Sequence, residues 1–191
     1  MNDAPIGQLA TQAFSLLIDA VATIGPDDWD RPSNLEGWSV RELVGHATGS
    51  AAKVVTLVED GELWQGPSQP ADWVCEDPSE RLRELASRLR DALPSADLDA
   101  TRVSPQGQVP LRRALAFPVA DLAMHAWDVH RSQGRLVELP DDTLAFCRGL
   151  VESVAPELLR RPGGFGPARP APDGATPTAG LMAYLGRSVD G

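Results

Sequence analysis

Three residues of this chain have the side chains and the spacing to bind a metal ion: His46, Asp121 and His125. Asp121 and His125 lie four residues apart in the segment ADLAMHAWDVH. Because a helix advances about 100° per residue, these two side chains would leave one face as neighbouring ligands. His46, in SVRELVGHATG, would supply a third ligand if the two helices packed together. The pattern predicts a mononuclear metal site.

The same residues also have simpler interpretations. A histidine at the margin of an apolar helix face is more often a hydrogen-bonded core residue than a ligand. Asp121 could cap a helix that begins at Pro118, but it is flanked by apolar residues in PVADLAMHAW. A carboxylate buried there is unfavourable unless a cation or several donors satisfy it, which favours the metal site. His130 falls about half a turn further around the helix and is expected to be exposed and outside the site.

Two neutral imidazoles and one carboxylate leave a divalent cation with net positive charge and open coordination positions. Zinc is the first expectation, because it binds imidazole and thiolate without redox chemistry. Nickel, manganese and iron accept the same ligands. The triad also describes non-haem iron oxygenases, but those are usually built on a β-barrel, and we find no comparable strand pattern here.

Hydrophobic residues recur at three- and four-residue steps along most of the chain, as in amphipathic helices. Ser39 and Glu42 form a capping box that opens the helix carrying His46. Pro118 is either the first residue of the helix carrying Asp121 and His125 or a kink in one that begins near residue 110. Helices are predicted over approximately residues 5–24, 39–58, 77–93, 119–133, 141–154 and 178–187. The fold class is therefore all-α, a four-helix bundle with a C-terminal extension.

Composition limits the classes of function. The 191 residues are 42% hydrophobic and fit one domain, with the bundle in residues 1–160 and a Pro/Gly-rich segment and short helix in residues 161–191. The net charge of −10 argues against nucleic-acid and anionic-membrane partners, which need a basic face. No export signal and no apolar run of about 20 residues is visible, so a cytoplasmic location is predicted.

The two cysteines are too few and too far apart for a disulfide framework or a zinc-thiolate site. Cys147 is expected in the core and Cys75 in a loop.

Three segments carry a resemblance to a known family: WDRPSNLEGWSVRELVGH, DLAMHAWDVHRSQG and GFGPARPAPDGATPTAGLMAYLGR. Together they resemble the DinB/YfiT-like metalloproteins, and within them the mycothiol-dependent maleylpyruvate isomerase group of actinobacteria. The resemblance implies a helical bundle whose metal is held at the positions of His46, Asp121 and His125. It also implies mycothiol as cosubstrate, a small-molecule electrophile as substrate, and S-transfer or thiol-assisted isomerisation as the reaction. Bundles of this fold often pair through helix faces, so a homodimer is one expected assembly.

Four further residues have candidate roles around this site. Asp128 could order the ligand-bearing helix face or be a surface carboxylate. Trp38 and Trp127 could line the pocket or belong to the core. Arg187 could bind a substrate carboxylate bidentately or be a surface arginine near a helix C-terminus.

Two other functions use the same triad. A structural metal would stabilise a non-catalytic binding or stress-response module, and a fourth protein ligand would complete its coordination. A metal-dependent hydrolase would hold water in place of thiol.

Overall fold

The computed structural model describes residues 5–61, 63, 68–104, 107–160 and 164–189. Its helices are α1 (Ile6–Val21), α2 (Val40–Val58), α3 (Pro70–Trp73), α4 (Pro78–Ala92), α5 (Leu111–Ala114), α6 (Ala116–Ser132), α7 (Asp141–Glu152), α8 (Pro156–Leu159) and α9 (Pro177–Tyr184). A 3-10 turn, Leu93–Ser95, follows α4, and a hairpin of β1 (Thr101–Ser104) and β2 (Gly107–Pro110) precedes α5. Within the described residues, no helix has the length and apolarity needed to cross a bilayer.

Four long helices form the bundle, which confirms the predicted all-α class. Helix α6 packs against α1 and α2, and α4 packs against the same two helices. Large side chains of each helix are fully buried between them, among them Leu17, Leu43, Leu85 and Leu122. Burial of each such side chain stabilises the fold by about 2 kcal/mol, so these stripes hold α2 and α6 together.

Local signals fix where the helices that carry His46, Asp121 and His125 begin. The predicted capping box of α2 is present: Ser39 Oγ accepts from the backbone N–H of Glu42, and Glu42 accepts from the backbone N–H of Ser39. Helix α6 begins at Ala116, so Pro118 lies in its first turn. Proline, which lacks a backbone N–H, is tolerated there because an N–H in the first turn has no intrahelical partner.

The short hairpin was not predicted by the sequence. Its strands pair antiparallel, with Thr101 opposite Pro110 and Ser104 opposite Gly107. Each strand has four residues, and only Ser104 and Val109 are buried. Four residues with a single inward side chain are too few for a detectable alternation of hydrophobic residues. The four-residue helices α3 and α8 were missed for the same reason.

The C-terminal segment runs back over the bundle. Residues 164–175 have no regular structure, as the run of prolines and glycines predicted. Helix α9 packs against α7, and the chain after it contributes the buried side chains of Leu185, Arg187 and Val189. Arg187 thereby reaches the interior near α6.

Candidate metal centre

The structure brings together the three residues selected from the sequence. His46 lies on α2, while Asp121 and His125 lie one turn apart on α6, which packs against α2. The ligand atoms of the three side chains all lie within 4.8 Å of one another. In the part of the chain that the structure describes, the cluster of candidate ligands has these three members.

The two imidazoles approach the same carboxylate from different helices. His125 Nε2 lies 3.3 Å from Asp121 Oδ1, and His46 Nε2 lies 3.6 Å from Asp121 Oδ2. The imidazole rings meet edge to face, with centroids 4.9 Å apart and an interplanar angle of 87°. Metal–ligand bonds of about 2.0–2.2 Å in a tetrahedral arrangement place donor atoms roughly 3.3 Å apart, so these separations fit a common cation.

The other ring nitrogen of each histidine has a hydrogen-bond acceptor. His46 Nδ1 lies 2.6 Å from the carbonyl oxygen of Ser68, and His125 Nδ1 lies 3.1 Å from Asp128 Oδ2. A carbonyl or carboxylate oxygen can only accept, so each Nδ1 carries the hydrogen. In the neutral imidazoles both Nε2 lone pairs then point into the cluster, which is the tautomer a metal needs.

Two glycines of α2 allow the chain that contains Ser68 to approach His46. A Cβ at Gly49 would lie 2.3 Å from Ser68 Cβ, and one at Gly45 would lie 2.8 Å from the carbonyl oxygen of Pro70. Real Cβ atoms do not occupy such positions without displacing their neighbours. The two glycines that flank His46 in GHATG were the signal in the sequence for this close approach, which was not predicted.

Asp121 has a hydroxyl donor in addition to its histidine neighbours. Ser50 Oγ, one turn after His46 on α2, donates a 2.6 Å hydrogen bond to Asp121 Oδ2. Ser50 was not predicted from the sequence either, although its position four residues after His46 places it on the same helix face.

Charge interactions shift the pKa values of the metal-free cluster strongly. Burial alone would lower the pKa of His125, but the carboxylates of Asp121 and Asp128 outweigh it and raise that pKa to about 9. Burial would raise the pKa of Asp121, but the two histidines hold it well below its ordinary value. Without a metal, the cluster is therefore an ion pair between Asp121 and a protonated His125 near neutral pH.

The cluster is open on one side. The side chain of Asp121 is 27% exposed and that of His46 is 13% exposed, whereas that of His125 is only 4% exposed. Trp38 lies beside this opening, with its ring centroid 4.9 Å from that of His46. A small molecule could therefore reach the face formed by Asp121 and His46.

Lys53, the only lysine of the chain, adds a positive charge near the cluster. It follows His46 by two turns of α2 and so shares its face. Burial lowers the pKa of its ammonium group, and the nearby charge of Asp121 acts in the opposite direction.

Asp128 is fully buried rather than at the surface. It contacts His125 and the Arg187 guanidinium, whose Nη2 lies 3.2 Å from Asp128 Oδ2. Arg187 is 7% exposed, so it is not a surface arginine either. A direct contact between Arg187 and a substrate stays a prediction.

Two further residues selected from the sequence, Trp127 and His130, lie outside the cluster of candidate ligands. Trp127 is 1% exposed and belongs to the core. His130 was expected to be exposed, but it is half-buried, and burial lowers its pKa. Other segments of the chain cover the turn of α6 that follows His125 on more than one side. The periodicity of a single helix cannot predict such contacts.

Neither cysteine is placed or ionised to act as a nucleophile. Cys147 is buried on α7, and burial raises the pKa of its thiol to about 12. Cys75 lies in a loop, as predicted, and burial also raises its pKa. Neither thiol would be ionised near neutral pH.

The sequence matches one family model, described as mycothiol maleylpyruvate isomerase N-terminal domain, over residues 10–130. This range includes His46, Asp121 and His125. Two proteins from two strains of Mycobacterium tuberculosis, both named only as uncharacterized, are 28% identical over 95% of this chain and 96% of their own length.

Two solved structures share the fold. A crystal structure of the mycothiol-dependent maleylpyruvate isomerase superposes with a TM-score of 0.58 at 19% identity, and one of a histidine-to-alanine mutant with 0.61 at 18%. Each similarity covers 75% of this chain and 68% of the other. At this identity the similarity is evidence for the fold alone.

Proposed function

The chain belongs to the mycothiol maleylpyruvate isomerase N-terminal domain family, and we propose that it binds one divalent metal ion through His46, Asp121 and His125. The single observation that carries the proposal is the convergence of these three ligand atoms within 4.8 Å. We further propose that the protein uses mycothiol in S-transfer or in thiol-assisted isomerisation of a small electrophile. A cytoplasmic location, where a low-molecular-weight thiol is reduced, accords with this function.

The chemistry of the donors supports a metal. Both imidazoles have their Nδ1 hydrogens committed to acceptors outside the cluster, so both Nε2 atoms are available as ligands. Zinc fits two imidazoles, one carboxylate and a thiolate, and nickel, manganese and iron fit the same protein ligands. A bound cation would displace the proton held between His125 and Asp121.

When bound, a divalent metal would lower the pKa of a coordinated thiol and hold it as thiolate near neutral pH. The residues of the chain prepare that position. Ser50 restrains the Asp121 carboxylate, and Trp38 borders the opening beside His46. Lys53 adds a positive charge on the same helix face, which favours an anionic sulfur over a neutral thiol.

The thiol of a cosubstrate is the better nucleophile for this site because the cysteines of the chain are unsuitable. Cys147 is fully buried with a pKa of about 12. The proposed reaction therefore takes its sulfur from mycothiol.

A structural metal and a hydrolytic metal are the competing functions. The exposure of Asp121 and His46, 27% and 13% of their side chains, favours an exchangeable ligand over a closed structural site. A hydrolase would use the same open position with water as the nucleophile, so thiol binding distinguishes the two enzymes.

The test is the metal content of untagged protein, measured by mass spectrometry for wild type, His125→Ala and His130→Ala. His130 is the matched control, because it lies on the same helix outside the cluster. We expect about one equivalent of metal in wild type and in His130→Ala, and loss of metal from His125→Ala. Titration of the metal-loaded wild type with mycothiol by calorimetry should then show binding that the metal-free protein lacks.

The outcomes separate the candidate functions. Metal without thiol binding would favour the structural or hydrolytic site. Wild-type protein that takes up no divalent metal when offered it would refute the metal centre altogether.

A further inference from the structure

Asp128 is a fully buried carboxylate at which three distant parts of the chain meet. His125 Nδ1 lies 3.1 Å from Asp128 Oδ2, and Arg187 Nη2 donates to the same oxygen at 3.2 Å. Asn34 Nδ2, from the loop before α2, donates to Asp128 Oδ1 at 3.1 Å. Each carboxylate oxygen thus has a donor, which is the condition for a stable buried charge.

Arg187 reaches Asp128 because of the way in which α9 ends. The N–H of Gly186 donates to the carbonyl of Ala183, and that of Arg187 donates to the carbonyl of Met182. These two bonds, with Gly186 at a φ of +86°, form a Schellman motif. The motif fixes the direction in which the chain leaves α9 and so the position of the Arg187 backbone.

Gly186 also lets this turn approach the chain before α9 closely. A Cβ at Gly186 would lie 2.9 Å from backbone atoms of Gly166 and Pro167. The neighbouring Phe165 places its ring 5.0 Å from the Arg187 guanidinium carbon. The irregular segment before α9 and the turn after it therefore hold the guanidinium in one place.

The charge of Arg187 matters because Asp128 lies in the interior. Asp128 is fully buried, and the guanidinium of Arg187 supplies a charged donor to its carboxylate at 3.2 Å. Loss of the guanidinium would leave a buried carboxylate with too little compensation, and the contact with His125 would change with it.

We propose that Arg187 is a positioning residue for the metal ligand His125 and acts through Asp128, so that the C-terminal turn of the chain sets the affinity of the metal site. The inference rests on the proposed metal centre. A carboxylate behind a ligand histidine fixes the ring orientation and raises its basicity, and removal of such a partner typically weakens metal binding 10- to 100-fold. Here that carboxylate is itself held by a charge from a segment 59 residues later in the sequence.

This role differs from direct recognition of a substrate. Nη1 of Arg187 donates to the carbonyl of Leu185 and Nη2 donates to Asp128. Both terminal nitrogens of the guanidinium therefore already donate to acceptors within the protein. If Arg187 only recognised a substrate, its replacement would leave the metal affinity unchanged. If it positions His125, its replacement lowers the metal affinity.

The experiment measures the dissociation constant of zinc by competition with a chromophoric chelator, and records the visible d–d spectrum of the cobalt-loaded protein. The variants are Arg187→Met, Arg187→Lys and Asp128→Asn. Arg160→Met is the matched control, since Arg160 donates to the carbonyl of Tyr184 and lies over its ring, next to the same turn but away from Asp128.

We expect Arg187→Met to weaken zinc binding 10- to 100-fold and to shift the cobalt spectrum. Arg187→Lys should recover part of the affinity, because it restores the charge without the planar fork. Combining Arg187→Lys with Asp128→Asn should weaken binding no further than Asp128→Asn alone, as for two residues acting in series. Arg160→Met should keep the wild-type affinity and spectrum.

Wild-type affinity and spectrum in a folded Arg187→Met protein would overturn the inference while leaving the metal centre intact. An equal loss of affinity in Arg160→Met would also overturn it, because that would show a general effect of tail packing. If Arg187→Met does not fold, the double-mutant cycle of Arg187→Lys and Asp128→Asn tests the inference instead. Additive losses of zinc affinity in that cycle would refute the coupling. Wild type that binds no metal would refute the proposed function as well.

Discussion

Ser50 Oγ donates a 2.6 Å hydrogen bond to Asp121 Oδ2 across the interface between α2 and α6. The bond joins the two helices at the carboxylate that both histidines approach. Because the hydroxyl satisfies one lone pair of Oδ2, the carboxylate is held in a fixed orientation before any cation arrives.

Removal of this hydroxyl is expected to weaken metal binding. Ser50→Ala should raise the dissociation constant for zinc about tenfold, in the range typical of groups that orient a ligand. The control is Thr48→Val, which removes another buried hydroxyl of α2, one that donates to the carbonyl of Val44. Chelator competition with both variants measures the difference, and equal affinities would show that Ser50 does not orient Asp121.

The metal-free protein is expected to lose stability as the pH rises. Because the pKa of His125 is raised from 6.5 to about 9, its protonated form stabilises the folded state. The stabilisation is fully present below the unfolded pKa and is lost as the pH rises through about 9. The shift corresponds to about 3 kcal/mol in the free energy of unfolding.

Urea unfolding in the presence of a chelator, at several pH values between about 6 and 9, measures this loss. His125→Gln provides the reference, since it lacks the titrating group but keeps the other ionisable residues. The wild-type free energy of unfolding should fall towards that of the variant as the pH rises. Curves that stay parallel over this range would contradict the ion pair between His125 and Asp121.

The thiol chemistry is expected to be independent of both cysteines. Ellman's reagent near pH 8 should modify Cys75 and leave Cys147 unmodified until the protein unfolds, because Cys147 is buried and its pKa is about 12. The double variant Cys75→Ser, Cys147→Ala should bind mycothiol like wild type when loaded with metal. Loss of thiol binding in a folded double variant would assign the sulfur chemistry to the chain.

The long helices and the positions of the three candidate ligands on them could be predicted because their signals are local. Asp121 and His125 are one turn apart, and the capping box of Ser39 and Glu42 is read from four consecutive residues. The partners of these ligands could not be predicted in the same way. Asn34 reaches Asp128 across 94 residues of sequence, and no periodicity within one helix reports what packs against it.

Asp128 shows the limit most clearly. Its position three residues after His125 was compatible with a role behind the ligand or with an exposed surface. The deciding residue is Arg187, which becomes a neighbour only because α9 ends in a turn that closes on the irregular segment. Local sequence signals placed the three candidate ligands, whereas tertiary packing determined which residues contact them.

Gly49 permits the contact between Ser68 and His46. A Cβ there would lie 2.3 Å from Ser68 Cβ and 2.8 Å from Trp73 Cδ1. Gly49→Ala must therefore push Ser68 away from α2, and the carbonyl that accepts from His46 Nδ1 moves with it. We expect a loss of about 1–3 kcal/mol in stability, as for other overpacked sites, together with weaker zinc binding.

Gly149→Ala on α7 is the matched control, because nothing lies within 4 Å of a Cβ at that position. Alanine within a helix stabilises it relative to glycine by roughly 0.5–1 kcal/mol, so the melting temperature should rise while zinc affinity stays unchanged. A Gly49→Ala protein that loses stability but keeps its zinc affinity would separate the two effects. In that case the carbonyl of Ser68 would not be needed to orient His46.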